Sequence, residues 1–451
     1  MSQRRYKDTE NSWKIKAIKR GKENNILRKR NKELEASREM WKSRSKELSK
    51  RGSGIELRES PKAMRHKYSL LLVSLIIAFH GYGSMSLRGC RHCAHCLLLS
   101  LGLSGGIPSH SSIRNWLCKC GYNRIMEGKK SSGDYVLYLD ESIVFGSEKM
   151  LLILGVSQNK IPTDRGLRHS DVEVLYVGAS QEWKGEDIAQ ELTKIEQQKR
   201  IKYVISDEGH NLRKAYKSMN YTHIEDCTHV LANHLKRIYG SDEDFEAFRK
   251  LIGQLRKDWN LSKENSRYMP PTMRGKMRFA NIFPCVDWAN KMLDNWQNLP
   301  PKVQDSLVFL QQNQILIQSL TETGTLFKTI CETLKTQGFA KQVNASLVAY
   351  LDNSTLLEKP AVFAQNCKEY LHNLSDKSTL LAIPHLLCSS DIIESFFGKF
   401  KTKINPNNHS GLTQFIFTIA NFSNPFSIKE TLSALENIRL KDIPKKRLNS
   451  A

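Results

Sequence analysis

The chain has 451 residues, 40% of them hydrophobic, which fits two or three soluble domains each with its own core. Sixty-nine Lys and Arg against 46 Asp and Glu give a net charge of +23, pointing to a polyanionic partner with nucleic acid first. The longest apolar run, Tyr68 to Phe79, is too short to cross a bilayer, so no membrane role is expected and the run reads as a buried helix.

The N-terminus is polar and charged with no apolar segment near it, which implies no secretory leader. A reducing, cytoplasmic setting follows, and the ten cysteines are expected as free thiols. Residues 1–51 read as a basic helix in which Leu27, Leu34, Trp41 and Leu48 recur seven apart. The second apolar position of the heptad is polar at Asn31 and Arg38, so a weak coiled-coil seam and a lone basic helix both stand. Gly, Ser and Pro across residues 52–63 read as a linker.

Residues 64–130 predict a compact helical module. Near its end, Pro108 and Ser109 signal a helix start, Ile113, Trp116 and Leu117 an inward face, and Gly121 a stop. Arg114, Asn115 and Lys119 are then expected to face outward, a pattern that resembles the DNA-reading helix of a helix-turn-helix. Cys90, Cys93 and Cys96, with Cys118 and Cys120 later, fit a zinc site only loosely; thiols lining a helical core are expected instead.

From residue 131 the pattern changes to strands. "YVLYLDESIVF", "KMLLILGVSQ" and "DVEVLYVGAS" predict an antiparallel meander, followed by a helix, a strand stopping at Asp207, a helix and a short strand in "THIED". Residues 131–238 are therefore expected to form a mixed α/β sheet. Residues 239–385 read as helices throughout, an insertion too long to be a loop. Its basic stretch from Ser266 to Arg278 is a candidate phosphate contact or a solvated loop. Residues 386–425 rejoin the α/β domain, and 426–451 are a C-terminal helix and basic tail.

Two strand-like runs end in an acid: "DYVLYLD" at Asp140 and "IKYVISD" at Asp207, with Gly209 beyond as turn chemistry. In "SSDIIESFFGKFKTK" Ile392, Ile393, Phe396, Phe397 and Phe400 make a helical apolar face beside Glu394. If the two strands are parallel neighbours and this helix crosses them, three carboxylates converge. Carboxylate oxygens suit Mg²⁺, and two such ions about 4 Å apart clamp the attacking and leaving oxygens of a phosphodiester. An isolated acid at a strand end is more often a turn residue; the order and placement of all three favour chemistry. Asp134, Glu141, Glu208 and Asp391 are nearby alternatives, Asp391 lying one helical turn from Glu394.

At these residues the chain resembles the DDE transposases of bacterial insertion sequences, whose catalytic domain is ribonuclease-H-like. The resemblance covers most of the chain but rests on short motifs. It implies catalytic and metal-holding roles for Asp140, Asp207 and Glu394, with two Mg²⁺ or Mn²⁺ ions as cofactors. In that family a basic residue often follows the Glu by seven positions, here Lys401, and a Cys or Asp with a His three residues later recurs, here Asp226 and His229. DNA would be the partner, as terminal inverted repeats and target, bound by at least a homodimer in the bacterial nucleoid. A same-fold nuclease or resolvase without strand transfer, and a non-catalytic DNA-binding regulator, are the alternatives.

Overall fold

A computed structural model describes residues 20–21, 24–25, 27–28, 30–43, 61–100, 106–145, 148–207, 209–260, 265–273, 280–404 and 413–445. Leu48 of the heptad, most of the expected linker, Glu208, residues 274–279 of the basic stretch and the tail beyond 445 lie outside the described residues. The chain divides into two compact units, Met1–Glu59 with Gly253–Met269, and Ser60–Ile252 with Pro270–Ala451. In the first, residues 30–43 form helix α1, on which Leu34 and Trp41 of the heptad are exposed.

The second unit opens with α2 (Leu70–Gly81), α3 (Leu87–Ser100) and α4 (His110–Lys130), which pack on one another. The long apolar run is α2, held at its start by Ser69, whose side chain accepts the Leu72 N–H. No helix among the described residues is long and apolar enough to cross a membrane. Gly121 does not stop α4, which continues nine residues further to Lys130. The glycine is there for close approach: a Cβ at 121 would sit 2.1 Å from the Phe417 carbonyl oxygen.

Next come β1 (Gly133–Phe145), β2 (Glu148–Ser157), β3 (Glu173–Ser180), α5 (Gly185–Glu196), β4 (Lys199–Ser206), α6 (His210–Ser218) and β5 (His223–Glu225). They form one five-stranded sheet in the order β3-β2-β1-β4-β5. The expected meander is present, β1 to β3 running antiparallel, while β1, β4 and β5 are parallel. Tyr135 to Leu139 on β1 are all buried, as are Tyr203 to Ile205 on β4. Central strands covered on both faces read as unbroken apolar runs rather than alternating ones, which is why these two segments stood out in the sequence.

The predicted insertion is helical: α7 (Cys227–Tyr239), α8 (Glu243–Asn260), α9 (Phe283–Asp294), α10 (Pro301–Gln312), α11 (Gln314–Gln337), α12 (Lys341–Asp352) and α13 (Glu358–Leu381). One strand signal was missed there. Phe339–Ala340 (β6) pairs antiparallel with His385–Leu386 (β7), two residues each and too short to show a period. After β7 comes α14 (Asp391–Lys401), whose five predicted apolar residues are all buried. Burying each such side chain contributes roughly 1.5–3 kcal/mol. The helix packs against β1 and against a 3-10 segment, Gln414–Phe422.

The C-terminal helix α15 (Ile428–Asn437) packs on α2 and α4, as the 3-10 segment also does. The N-terminal module is thus completed by the other end of the chain. Arg124 of α4 donates to the carbonyls of Ala420, Asn424 and Pro425 and to Glu430, and stacks 3.6 Å from the Phe426 ring centre. Asn421 donates to the Leu117 carbonyl oxygen at 2.9 Å.

Candidate active site

Strand pairing places the first two acids. β1 and β4 run in parallel register through Leu139 and Ser206, the last paired residues, so Asp140 and Asp207 are the next residue on each of two neighbouring strands. Adjacent strands lie about 4.8 Å apart. β1 itself continues past Asp140, because β2 still pairs with it as far as Phe145; β4 stops and turns into α6. Asp207 is steadied by the Gly209 N–H, which donates to its Oδ1 at 3.1 Å.

The Asp140 carboxyl feels the charges of both other acids. Burial, and then the charge of Asp207, push the Asp140 carboxyl up to about 7; Glu394 adds to the rise, while the Glu141 backbone N–H and His229 oppose it. Glu394, on the open side of α14, is raised by partial burial and by the charges of Asp226 and Asp391, against the pull of His229 and Lys335.

Asp226 and His229 belong to the same cluster. Asp226 is buried at the start of α7, where its Oδ1 accepts the His229 N–H at 2.9 Å and the imidazole Nδ1–H at 3.0 Å. Its Oδ2 accepts the Ser390 N–H at 2.6 Å and the Ser390 hydroxyl at 2.9 Å. Burial works against the Asp226 charge, yet the hydrogen bonds from His229 and Ser390 outweigh it and hold the carboxyl below its ordinary value. His229 rises to about 9, first through its hydrogen bond to Asp226, with burial opposing and the charges of Asp226, Asp207 and Glu394 assisting. The imidazolium is thereby kept beside the acids at neutral pH.

Ser390 was not singled out in the sequence. It stands at the N-cap position of α14, which "SSD" before an apolar run would signal. Its hydroxyl makes no cap bond and goes to Asp226 instead, so one buried carboxylate ties the starts of α7 and α14 together. The Cys227 N–H donating to the Cys388 carbonyl oxygen at 2.8 Å doubles the tie.

The nearby alternatives are engaged elsewhere. Asp134 is held by Arg200 at 2.5 and 2.7 Å and by Lys202 at 3.4 Å. Asp391 pairs with Lys335 of α11 at 2.9 Å, and Glu141 lies 3.9 Å from Lys149. Lys401 is exposed at the end of α14.

The residues expected to read DNA are placed differently. Arg114 donates to the Thr413 hydroxyl at 3.2 Å and Lys119 to the Leu435 carbonyl oxygen at 3.0 Å, so both turn toward the C-terminal segment; Asn115 is half-buried. A local amphipathic pattern could not reveal that the C-terminal end of the chain would cover this face. On α3, Cys90 is buried and Cys96 exposed, and all ten cysteines are free.

An all-oxygen donor set of three acids suits Mg²⁺ or Mn²⁺, and a cation between them would relieve the repulsion that lifts Asp140. Among the described residues no three His, Cys, Asp or Glu side chains close to metal-holding range. The acids are thus near enough to feel one another and still apart. Neither a comparison with protein-family models nor one with curated proteins returns a match.

Proposed function

We propose that the chain is a DNA transposase with a ribonuclease-H-like catalytic domain interrupted by a helical insertion, in which Asp140, Asp207 and Glu394 are the catalytic acids. One observation carries this reading: the β1–β4 register sets Asp140 and Asp207 side by side, with Glu394 within range of Asp140's charge. Asp140 on the first strand, Asp207 just after the fourth and Glu394 on a late helix stand where the resemblance puts the family's three acids, which supports the reading.

The three carboxylates would hold two divalent cations, which when bound supply charge stabilisation at both the attacking and leaving oxygens of a phosphodiester. Asp226 orients the His229 imidazolium beside the acids and, through Ser390, fixes the start of the helix that carries Glu394. Lys401, at the end of the same helix, would grip a phosphate or the developing charge on the displaced oxygen. Water attacks a phosphodiester at the element end and displaces the 3′-oxygen, which leaves as a 3′-hydroxyl; that hydroxyl then attacks a target phosphodiester and displaces the target's own 3′-oxygen, and terminal inverted repeats are the sequences held. The +23 net charge supports the polyanionic partner.

The test is incubation of the purified protein with labelled DNA from the regions flanking its gene, in Mg²⁺ or Mn²⁺, with products resolved by strand. Nicking that leaves a 3′-hydroxyl, followed by joining to a second duplex and lost in Asp140→Asn, is expected. Nicking without joining would leave a nuclease or resolvase, and binding without nicking a regulator.

A further inference from the structure

The far end of α14 holds charges that the catalytic reading does not use. Lys399 is half-buried, its Nζ 5.1 Å from the ring centre of Phe422 and 5.5 Å from that of Tyr82. Lys403 follows just past the helix, also half-buried, and donates to the Met85 carbonyl oxygen at 3.2 Å. Two aromatic faces and one carbonyl are their surroundings; among the described residues no carboxylate acts on either. Burial alone lowers the Lys399 pKa, and burial followed by Lys399 brings Lys403 to about 8, with only the Cys90 thiol pulling it back up. That thiol is itself pushed by burial to about 12 and carries no charge at neutral pH.

Other basic groups face the same place. The His169 ring, 4.6 Å from Phe396, is lowered to about 4 by burial and then by Lys399. His80 is lowered to about 3 by burial, then by Lys403 and Lys399. Four basic side chains from three parts of the chain therefore converge, with no acid among them in the described residues. Partly burying ammonium groups without a counter-ion is unfavourable, and the small dipole benefit at a helix C-terminus does not offset it. An anion arriving from outside would relieve that cost.

We propose that Lys399 and Lys403 form a binding site for a phosphodiester group of DNA, with the Tyr82 and Phe422 rings holding Lys399 in position. The proposal rests on the nucleic-acid reading above and deepens it. Lys399 is five residues from Glu394 on one helix, about 7.5 Å along the axis at 1.5 Å per residue. Lys401, two turns on from Glu394, keeps to that acid's side of α14, whereas Lys399 and Lys403, four apart, share another side, so a strand with its reacting phosphate at Glu394 would meet these two where it wraps past the helix end.

Binding of labelled duplex by the full chain, measured by anisotropy in EDTA across a NaCl series, tests this together with thermal unfolding. Each phosphate contact contributes about 0.9 to the slope of log K against log salt. The K399Q/K403Q double variant should lose about 2 from that slope while its melting temperature holds or rises, because uncompensated charge has been removed. Inorganic phosphate should raise the melting temperature of the parent and not of the variant. Should the double variant fail to fold, Lys403→Gln alone should lose about 1 from the slope.

A parent that binds DNA and a folded variant with an unchanged slope would overturn the proposal and leave the transposase reading intact. A lower melting temperature with an unchanged slope would make the lysines structural and overturn the proposal in the same way. A parent that binds no DNA but is stabilised by phosphate only when both lysines are present would keep the anion site and remove the DNA reading.

Discussion

The Asp226 carboxylate and the Ser390 backbone, 164 residues apart in the chain, meet at 2.6 Å. The contact is buried on both sides and spans the junction of α7 and α14. Asp226→Ala leaves the Ser390 N–H and hydroxyl unpaired out of water, which should cost about 2–3 kcal/mol. Urea unfolding measures it; a loss under about 0.5 kcal/mol, the range of ordinary surface changes, would mean that water replaces the carboxylate.

His229 ties stability to alkaline pH. Its folded pKa, about 9, lies above the unfolded 6.5, so its contribution is complete below 6.5 and is lost as pH rises through 9. In EDTA, His229→Gln should flatten the fall in melting temperature between pH 6.5 and 9. An identical fall in parent and variant would show that the imidazole is not the group responsible.

Asp140 acts at lower pH. Its folded pKa, about 7, exceeds the unfolded 3.8, so its own contribution to stability is most favourable below 3.8 and is lost as pH climbs through 7. Asp140→Asn should be the more stable protein at pH 8 without divalent ions and inactive in strand cleavage with them. Mg²⁺ should raise the melting temperature of the parent more than that of the variant. Equal Mg²⁺ responses would count against Asp140 as a ligand.

Glu394 and Asp391 can be separated directly. Glu394→Ala should abolish cleavage and leave α14 intact, since Ala favours helix. Asp391→Ala removes the Lys335 pair, an exposed contact worth about 0–1 kcal/mol, and should leave cleavage in place. The reverse pattern would move the third acid one helical turn earlier.

Gly121→Ala tests why α4 carries a glycine in its middle. With the Phe417 carbonyl oxygen only 2.1 Å from the added methyl, the substitution should destabilise by about 1–3 kcal/mol despite the better helix propensity of Ala. A neutral or stabilising result would contradict the close approach.

What the sequence disclosed was whatever repeats or stops locally. The unbroken apolar runs of β1 and β4 and the face from Ile392 to Phe400 announced two central strands and the helix over them, and the acids could be placed because each sits where a run ends or beside its face. Gly121 misled because a glycine after an apolar stretch looks the same whether it ends a helix or admits a neighbour. The contacts of Arg114 and Lys119 with the C-terminal segment were hidden for a related reason: their partners, Thr413 and Leu435, come from some 300 residues away. Ser390 was visible as a cap and invisible as the partner of Asp226, because a side chain's choice between its own helix and another is decided by tertiary structure.

The tie between Asp226 and Ser390 also bears on when the protein becomes competent. During synthesis the chain delivers β1, β4 and the Asp226–His229 pair long before residue 390 exists, and everything from α8 to α13 must emerge first. A nascent chain can therefore lay down its sheet early while its third acid has no place to dock. Contacts this distant in sequence form late and slowly. A chain truncated anywhere within the insertion would retain Asp140 and Asp207 without Glu394, so the acidic cluster is complete only once translation has passed α14.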